Sequence, residues 1–260
     1  AGLISPRSVV QFHFPLPYNM KNTNYDKNYF EWQKHDGMFG AIANKPKFNS
    51  LIREGYKVLD FGCGGGYLLA SFKNIERHGV EINSEAHKEC ETNGVKVYKT
   101  SSEIPKNYFD LIISNNTLEH VDNPLHEIKN LHHGLKQGGK ICIVVPCDNI
   151  TNKFRKNDPD FHLFSFSPLN LGNILVAANF KLLESKPYIS KWPPYYKIFQ
   201  KFFGWKLFFL ICKIYGKISN KWWQVRGLAE KDINFNFREE VKETNDLHQH
   251  RIDRKKDGIG

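Results

Sequence analysis

The chain has 260 residues, 40% hydrophobic and 25% charged, with a formal net charge of +10. That length holds one α/β domain with an elaboration and a full apolar core, and the composition excludes a disordered chain. Five cysteines with no C-x-x-C pair exclude a disulfide framework and point to reduced thiols in a cytoplasmic setting.

In chain order, residues 1–24 read as irregular, with three prolines, and 25–53 as a helical, aromatic-bearing segment. Residues 1–10 lack the apolar core of a secretory signal. Residues 1–55 therefore form an N-terminal cover to a domain spanning 56–229. Within it the pattern predicts strand 57–61, helix 66–74, strand 77–82, helix 84–92, strand 95–99 and strand 109–114. Helix 124–135, strand 140–145, helix 168–179 (opening on Pro168) and strand 181–186 follow. Such alternation predicts a mostly parallel sheet with helices on both faces. Residues 202–215 are apolar, but Lys206 and Lys213 interrupt them and they are too short to span a bilayer. Residues 230–260 read as a charged tail.

The densest signal is Val58-Leu59-Asp60-Phe61-Gly62-Cys63-Gly64-Gly65-Gly66, followed by Glu81 at the tip of the next strand. Glycines allow a tight turn and let a ligand lie against the backbone. An acid at that tip is placed to accept hydrogen bonds from ribose hydroxyls. Asp60 would repel a pyrophosphate, so the ligand end near the loop should be cationic or neutral.

This segment resembles motif I of class I S-adenosylmethionine-dependent methyltransferases. The resemblance continues through Gly79-Val80-Glu81-Ile82, Tyr108-Phe109-Asp110-Leu111-Ile112, Leu118-Glu119-His120-Val121 and Leu135-Lys136-Gln137-Gly138-Gly139-Lys140, covering about residues 56–186. It implies a Rossmann-like, seven-stranded sheet whose last strand, 222–229, is antiparallel. That leaves 187–221 as a helical insertion between strands six and seven. Strand six is parallel, so the insertion should rise over the active-site edge. The resemblance further implies S-adenosylmethionine as cofactor and S-adenosylhomocysteine as product. Gly62, Cys63, Gly64 and Gly66 would line methionine and ribose, with Asp60 supporting the loop or the amino group. Glu81 would hold the ribose, Ile82 would pack on adenine, Ser101 or Ser102 would sit at the adenine edge, and Asn115 would face the methionine ammonium. Tyr29, with Tyr25 and Gln33, would close the site.

For an oxygen acceptor a general base is needed. His120 with Glu119 resembles the E-x-x-E-H of quinone-biosynthesis O-methyltransferases, where the acids and the histidine suggest a divalent metal. Asn116 replaces the first acid here, leaving two ligands and a weak third, so a divalent metal stays open and no ligand set is assigned. His162 is the second candidate, in an H-x-x-x-F-S-P segment similar to that of glycan- and natural-product-tailoring methyltransferases. Capping and orienting the loop remain open for Glu119 and His120, and a structural hydrogen bond into its loop for His162. Pro193-Pro194-Tyr195 and Pro146-Cys147 stand at the wrong strands to be an amino-methylating triplet or a cytosine-methylating nucleophile.

Between Ser185 and Ala229 stand eight lysines, one arginine and no acid, interleaved with rings that include Trp192, Tyr195 and Tyr196 as candidate acceptor contacts. Gly204 should split the segment into two helices. Lys206, Lys213 and Lys217 should share one face, away from Phe208, Phe209, Ile211 and Cys212. A packed lid, a surface for anionic lipid or a lipid-linked acceptor at the inner face of a membrane, and a nucleic-acid surface all fit. The expected activity is O-methylation of a sugar, glycan precursor, or lipid- or quinone-type small molecule. The alternatives are RNA or protein methylation, or a non-catalytic binding module. Oligomeric state is not legible.

Overall fold

The computed structural model describes residues 37–148, 152–154, 156, 162–219 and 223–237. Seven strands pair into one sheet: β1 (Lys57–Phe61), β2 (Glu76–Val80), β3 (Lys96–Tyr98), β4 (Phe109–Asn115), β5 (Leu135–Cys147), β6 (Lys181–Tyr188) and β7 (Trp223–Glu230), the central β1, β4 and β5 carrying its apolar runs. Their order is β3-β2-β1-β4-β5-β7-β6, and only β7 runs antiparallel to its neighbours. The helices are α1 (37–44), α2 (Tyr67–Ala70), α3 (Ser84–Thr92), α4 (Pro124–Gly134), α5 (Pro168–Ala177) and α6 (Tyr196–Ser219). This is the expected Rossmann-like architecture, with the expected insertion between β6 and β7.

The period-2 alternation of the central strands divides the core. Leu59, Phe61, Ile112, Ile141 and Ile143 pack under α4 and α5, with Ile128, Leu131, Leu171 and Leu175. Their sequence neighbours Val58, Leu111, Ile113, Cys142 and Val144 pack on the other face with Leu69, Cys90 and Phe48. Burial on both faces explains why these strands read as unbroken apolar runs. Helix starts are set locally. The Asn83 side chain accepts from the Glu85 N–H, and that of Asn123 from the His126 N–H. Ser167 and Asn170 form a reciprocal capping box ahead of Pro168.

Several boundaries shift from expectation, and three of the shifts have a local cause. α2 ends at Ala70 rather than 74, because Ser71 Oγ donates back to the Leu68 carbonyl and Asn74 adopts a left-handed φ of 56°. β2 ends at Val80, where Glu81 turns its carboxylate onto the Gly64 and Asn83 N–H groups. β5 begins five residues early, at Leu135, across an irregularity at Gly138 (φ 75°) and a register shift between Phe109 and Leu111.

β1 and β4 lie side by side at the centre, and the chain winds outward from them in both directions. Ligands bind outside the carboxyl ends of strands at such a switch point. Tyr188, the last residue of β6, pairs with Gln224, which pairs with Pro146 near the end of β5. The insertion thus leaves the sheet at that same edge. α6 breaks at Gly204 (φ 66°, ψ 176°), the break expected from the sequence.

Candidate functional site

The glycine loop leaves β1 in a conformation side chains resist: φ is 80° at Gly62, 52° at Gly64 and 77° at Gly66. A Cβ on Gly62 would stand 2.1 Å from Thr117 Oγ1, so the loop after β4 packs directly on the loop after β1. Glu81 is the tie across this cradle. Its Oε2 accepts from the Gly64 N–H at 2.8 Å and its Oε1 from the Asn83 N–H at 2.9 Å. Each carboxylate oxygen keeps a second lone pair, which suits ribose hydroxyls. Asp60 is 3% exposed, and burial, reinforced by the Glu81 charge, holds its carboxyl well above the usual range. Two acids facing one loop favour a cationic or hydroxyl-bearing ligand over a phosphate. Cys63 is buried with Cys90, Sγ to Sγ 3.8 Å, and Cys90 Sγ donates to the Gly64 carbonyl. These thiols brace the loop from behind.

Ile82 stands 61% exposed beside the cradle, an open apolar shelf of the kind an adenine would cover. Ser102 lies on the turn after β3, bonded to Thr100 at 2.8 Å. Ser101 is buried, and its hydroxyl accepts from Asn130 of α4, which gives it a packing role in the same turn. Asn115 closes β4, and its Oδ1 accepts from Lys47 Nζ at 2.7 Å. Tyr25, Tyr29 and Gln33 lie outside the described residues.

The second half of the site follows β4 and β5. The turn Leu118–His120 buries Glu119 completely, and the Glu119 carbonyl accepts from the Leu163 and Phe164 N–H groups, joining the two loops. Those bonds bring His162 onto His120, with ring centroids 5.2 Å apart. His162 Nδ1 lies 3.0 Å from Asp148 Oδ2, and His120 Nε2 lies 3.8 Å from Glu119 Oε1. Neither Glu119 oxygen meets a hydrogen-bond donor among the described residues. Burial pushes its carboxyl up to about 8. One ligand atom each from Glu119, His120 and His162 fall within 4.8 Å of one another. A single ion with bonds of about 2.0–2.2 Å spans roughly 4.4 Å at most, so the three would have to draw together slightly to share one.

Several residues of the site were not assigned to it from the sequence. Lys47 is 7% exposed, and burial lowers its ammonium to about 7 against the attraction of Glu119. In Asn44-Lys45-Pro46-Lys47-Phe48 nothing distinguishes it from Lys45, which bonds the Ser71 carbonyl instead. Asn116, at φ 55°, accepts on Oδ1 from Gln224 Nε2 at 2.9 Å, tying β4 to β7. Asp148 could have been suspected only from its place just after β5. Lys47, Asn116, Gln224 and Trp192 line a shallow cleft open to solvent. Of the three insertion residues expected near the acceptor, Trp192 reaches this cleft. Tyr196 packs on Trp192 and Phe39, with centroids 5.0 Å from each, and Tyr195 (φ 58°) turns out to 74% exposure.

Comparison with known proteins agrees with this geometry. A family model described as a methyltransferase domain matches residues 34–185, more than half of the chain. Phosphoethanolamine N-methyltransferase 3 of Arabidopsis thaliana is 26% identical over 139 residues, 48% of this chain and 28% of the relative. A ubiquinone biosynthesis O-methyltransferase of Coxiella burnetii is 30% identical over 105 residues, 35% of this chain and 44% of the relative. The chain thus spans less than half the length of either. An S-adenosylmethionine-dependent methyltransferase from Thermotoga maritima superposes with a TM-score of 0.55 at 19% identity, covering 79% of this chain and 95% of that one, a likeness of fold. The positive-φ glycines, Glu81 and the paired acids fit S-adenosylmethionine as the cofactor, and the chain belongs to the methyltransferase-domain family as a class I, S-adenosylmethionine-dependent member.

Proposed function

We propose that the domain methylates a hydroxyl oxygen on a sugar, a glycan precursor, or a lipid- or quinone-type small molecule. The observation that carries this reading is the Asp148–His162 pair standing beside His120 and buried Glu119, at the carboxyl ends of β4 and β5. When bound, S-adenosylmethionine supplies an electrophilic methyl on a sulfonium. The protein's own task is to position the acceptor, exclude water and take a proton. Asp148 holds the Nδ1 side of His162, which would make Nε2, itself buried in the structure, the nitrogen to accept the hydroxyl proton. Glu119, neutral at pH 7, lets His120 and His162 lie close together without a fixed buried charge. Asn116, Gln224 and Lys47 offer polar groups beside the edge of Trp192 in the adjoining shallow cleft, where an oxygen-bearing acceptor could be met.

Amine methylation is the second reading, favoured by the similarity to the Arabidopsis phosphoethanolamine N-methyltransferase. A neutral amine needs no proton acceptor before attack, so the two readings differ in what they ask of His162. The test is turnover of an acceptor panel with labelled methyl donor, and mass spectrometry of the product. Oxygen methylation predicts a methyl ether, and a His162→Ala loss of about 10²–10⁴-fold in kcat with S-adenosylhomocysteine affinity retained. An N-methyl product, or full turnover in His162→Ala, contradicts it.

A further inference from the structure

We infer that the outward face of α6 is a docking surface for an anionic lipid bilayer. The inference does not depend on which atom the site methylates. Tyr196–Ser219 contains five lysines and no acid. Its inward side is settled: Phe208, Cys212 and Gly216, at i, i+4 and i+8, are buried, and Phe208 packs on Phe39 and Trp205. The opposite side of a surface helix is ordinarily polar. Here Leu207, Leu210, Ile214 and Ile218 recur there at steps of three and four, and the last three are 52%, 50% and 75% exposed.

Lys206, Lys213 and Lys217 follow one edge of this ribbon, are exposed, and form no ion pair with another described residue. Ahead of the Gly204 break, Phe202 and Phe203 also turn outward, at 76% and 51%, beside exposed Lys201. A greasy strip with a row of cations along it and no acid matches an interfacial helix. The apolar side chains enter the boundary between headgroups and chains. The lysine stems lie along it and keep their ammonium groups among the phosphates. A protein partner would have to supply carboxylates at matching positions, whereas an anionic leaflet supplies charge at every position. No helix among the described residues is long and apolar enough to cross a membrane, so the geometry is that of a helix lying on the surface.

The test is co-sedimentation of the full chain with phosphatidylcholine vesicles and with vesicles that also carry phosphatidylglycerol. The proposal expects binding to the anionic vesicles that weakens as salt rises. Combining Lys206→Gln, Lys213→Gln and Lys217→Gln should weaken it about fivefold per lysine, on the order of 100-fold together. Combining Leu210→Ser, Ile214→Ser and Ile218→Ser should remove it even at low salt. Both variants should bind S-adenosylhomocysteine like the parent, which shows they are folded. Absence of binding to anionic vesicles, or unchanged binding in the serine variant, overturns the proposal. So does a dimer, by light scattering, that the serine substitutions convert to monomer, since the ribbon would then join two copies of the chain. Tight binding of single-stranded RNA lost in the lysine variant, without vesicle binding, would assign the lysines to nucleic acid instead.

Discussion

Replacing Gly62 by alanine probes the contact that sets the cofactor loop against the loop after β4. Two costs can be separated. An L-residue at φ 80° bears a left-handed penalty of about 1–2 kcal/mol. The new methyl would also stand 2.1, 2.4 and 2.8 Å from Thr117 Oγ1, Cγ2 and Cβ. Because Thr117 Cβ itself is too close, rotating the side chain cannot clear the clash, and overpacking of this kind costs about 1–3 kcal/mol more. Gly62→Ala should therefore lose roughly 2–5 kcal/mol of stability, together with S-adenosylhomocysteine affinity. In a Thr117→Gly background only the backbone part should remain, about 1–2 kcal/mol. Urea unfolding of the four proteins of this cycle measures both parts. A single variant within 0.5 kcal/mol of the parent (about the additivity error), or an equal cost in both backgrounds, would refute the reasoning.

Asp148→Asn should remove the carboxylate that holds the Nδ1 side of His162 at 3.0 Å, and turnover should fall by about 10²-fold or more with S-adenosylhomocysteine affinity retained, read from initial rates and calorimetry. Glu119→Gln should alter the pH dependence of folding. With the carboxyl raised from 4.5 to about 8 by burial, the native state keeps a proton the unfolded chain has lost, so this group makes stability fall as pH rises between those values. Lys47, lowered from 10.5 to about 7, acts oppositely from about pH 7 upward. The glutamine variant should thus lose Glu119's share of the downward slope below pH 7, with that of buried Asp60 remaining, while keeping the upward one, by denaturant titration across pH 5–9. Chelation of divalent ions should leave turnover unchanged; an EDTA-sensitive activity restored by one metal would make Glu119, His120 and His162 ligands.

The glycine spacing, Glu81 and the strand pattern were legible because each follows from backbone chemistry within a few residues. Gly62 and Gly66 need positive φ, Glu81 directly follows a strand, and Val58 and Leu59 alternate between two cores. The His120–His162 approach was half legible. Each residue could be placed after its strand, but their contact depends on the Glu119 carbonyl accepting two N–H groups from the 162–164 loop. Lys47 was not legible at all, since the partner its ammonium meets, Asn115, stands 68 residues away in sequence. The insertion's buried face was readable from its period, and Gly204 marked its break. That the opposite face is also apolar follows from Leu210, Ile214 and Ile218, which in sequence read equally well as core.

Calorimetric titration with S-adenosylmethionine and S-adenosylhomocysteine tests the central claim most directly. The account predicts micromolar binding of both, weakened on the order of 10- to 100-fold by Glu81→Ala, which removes charged hydrogen bonds to the ligand and to the Gly64 N–H. A folded protein that binds neither ligand, or a Glu81→Ala variant that binds as tightly as its parent, would contradict it.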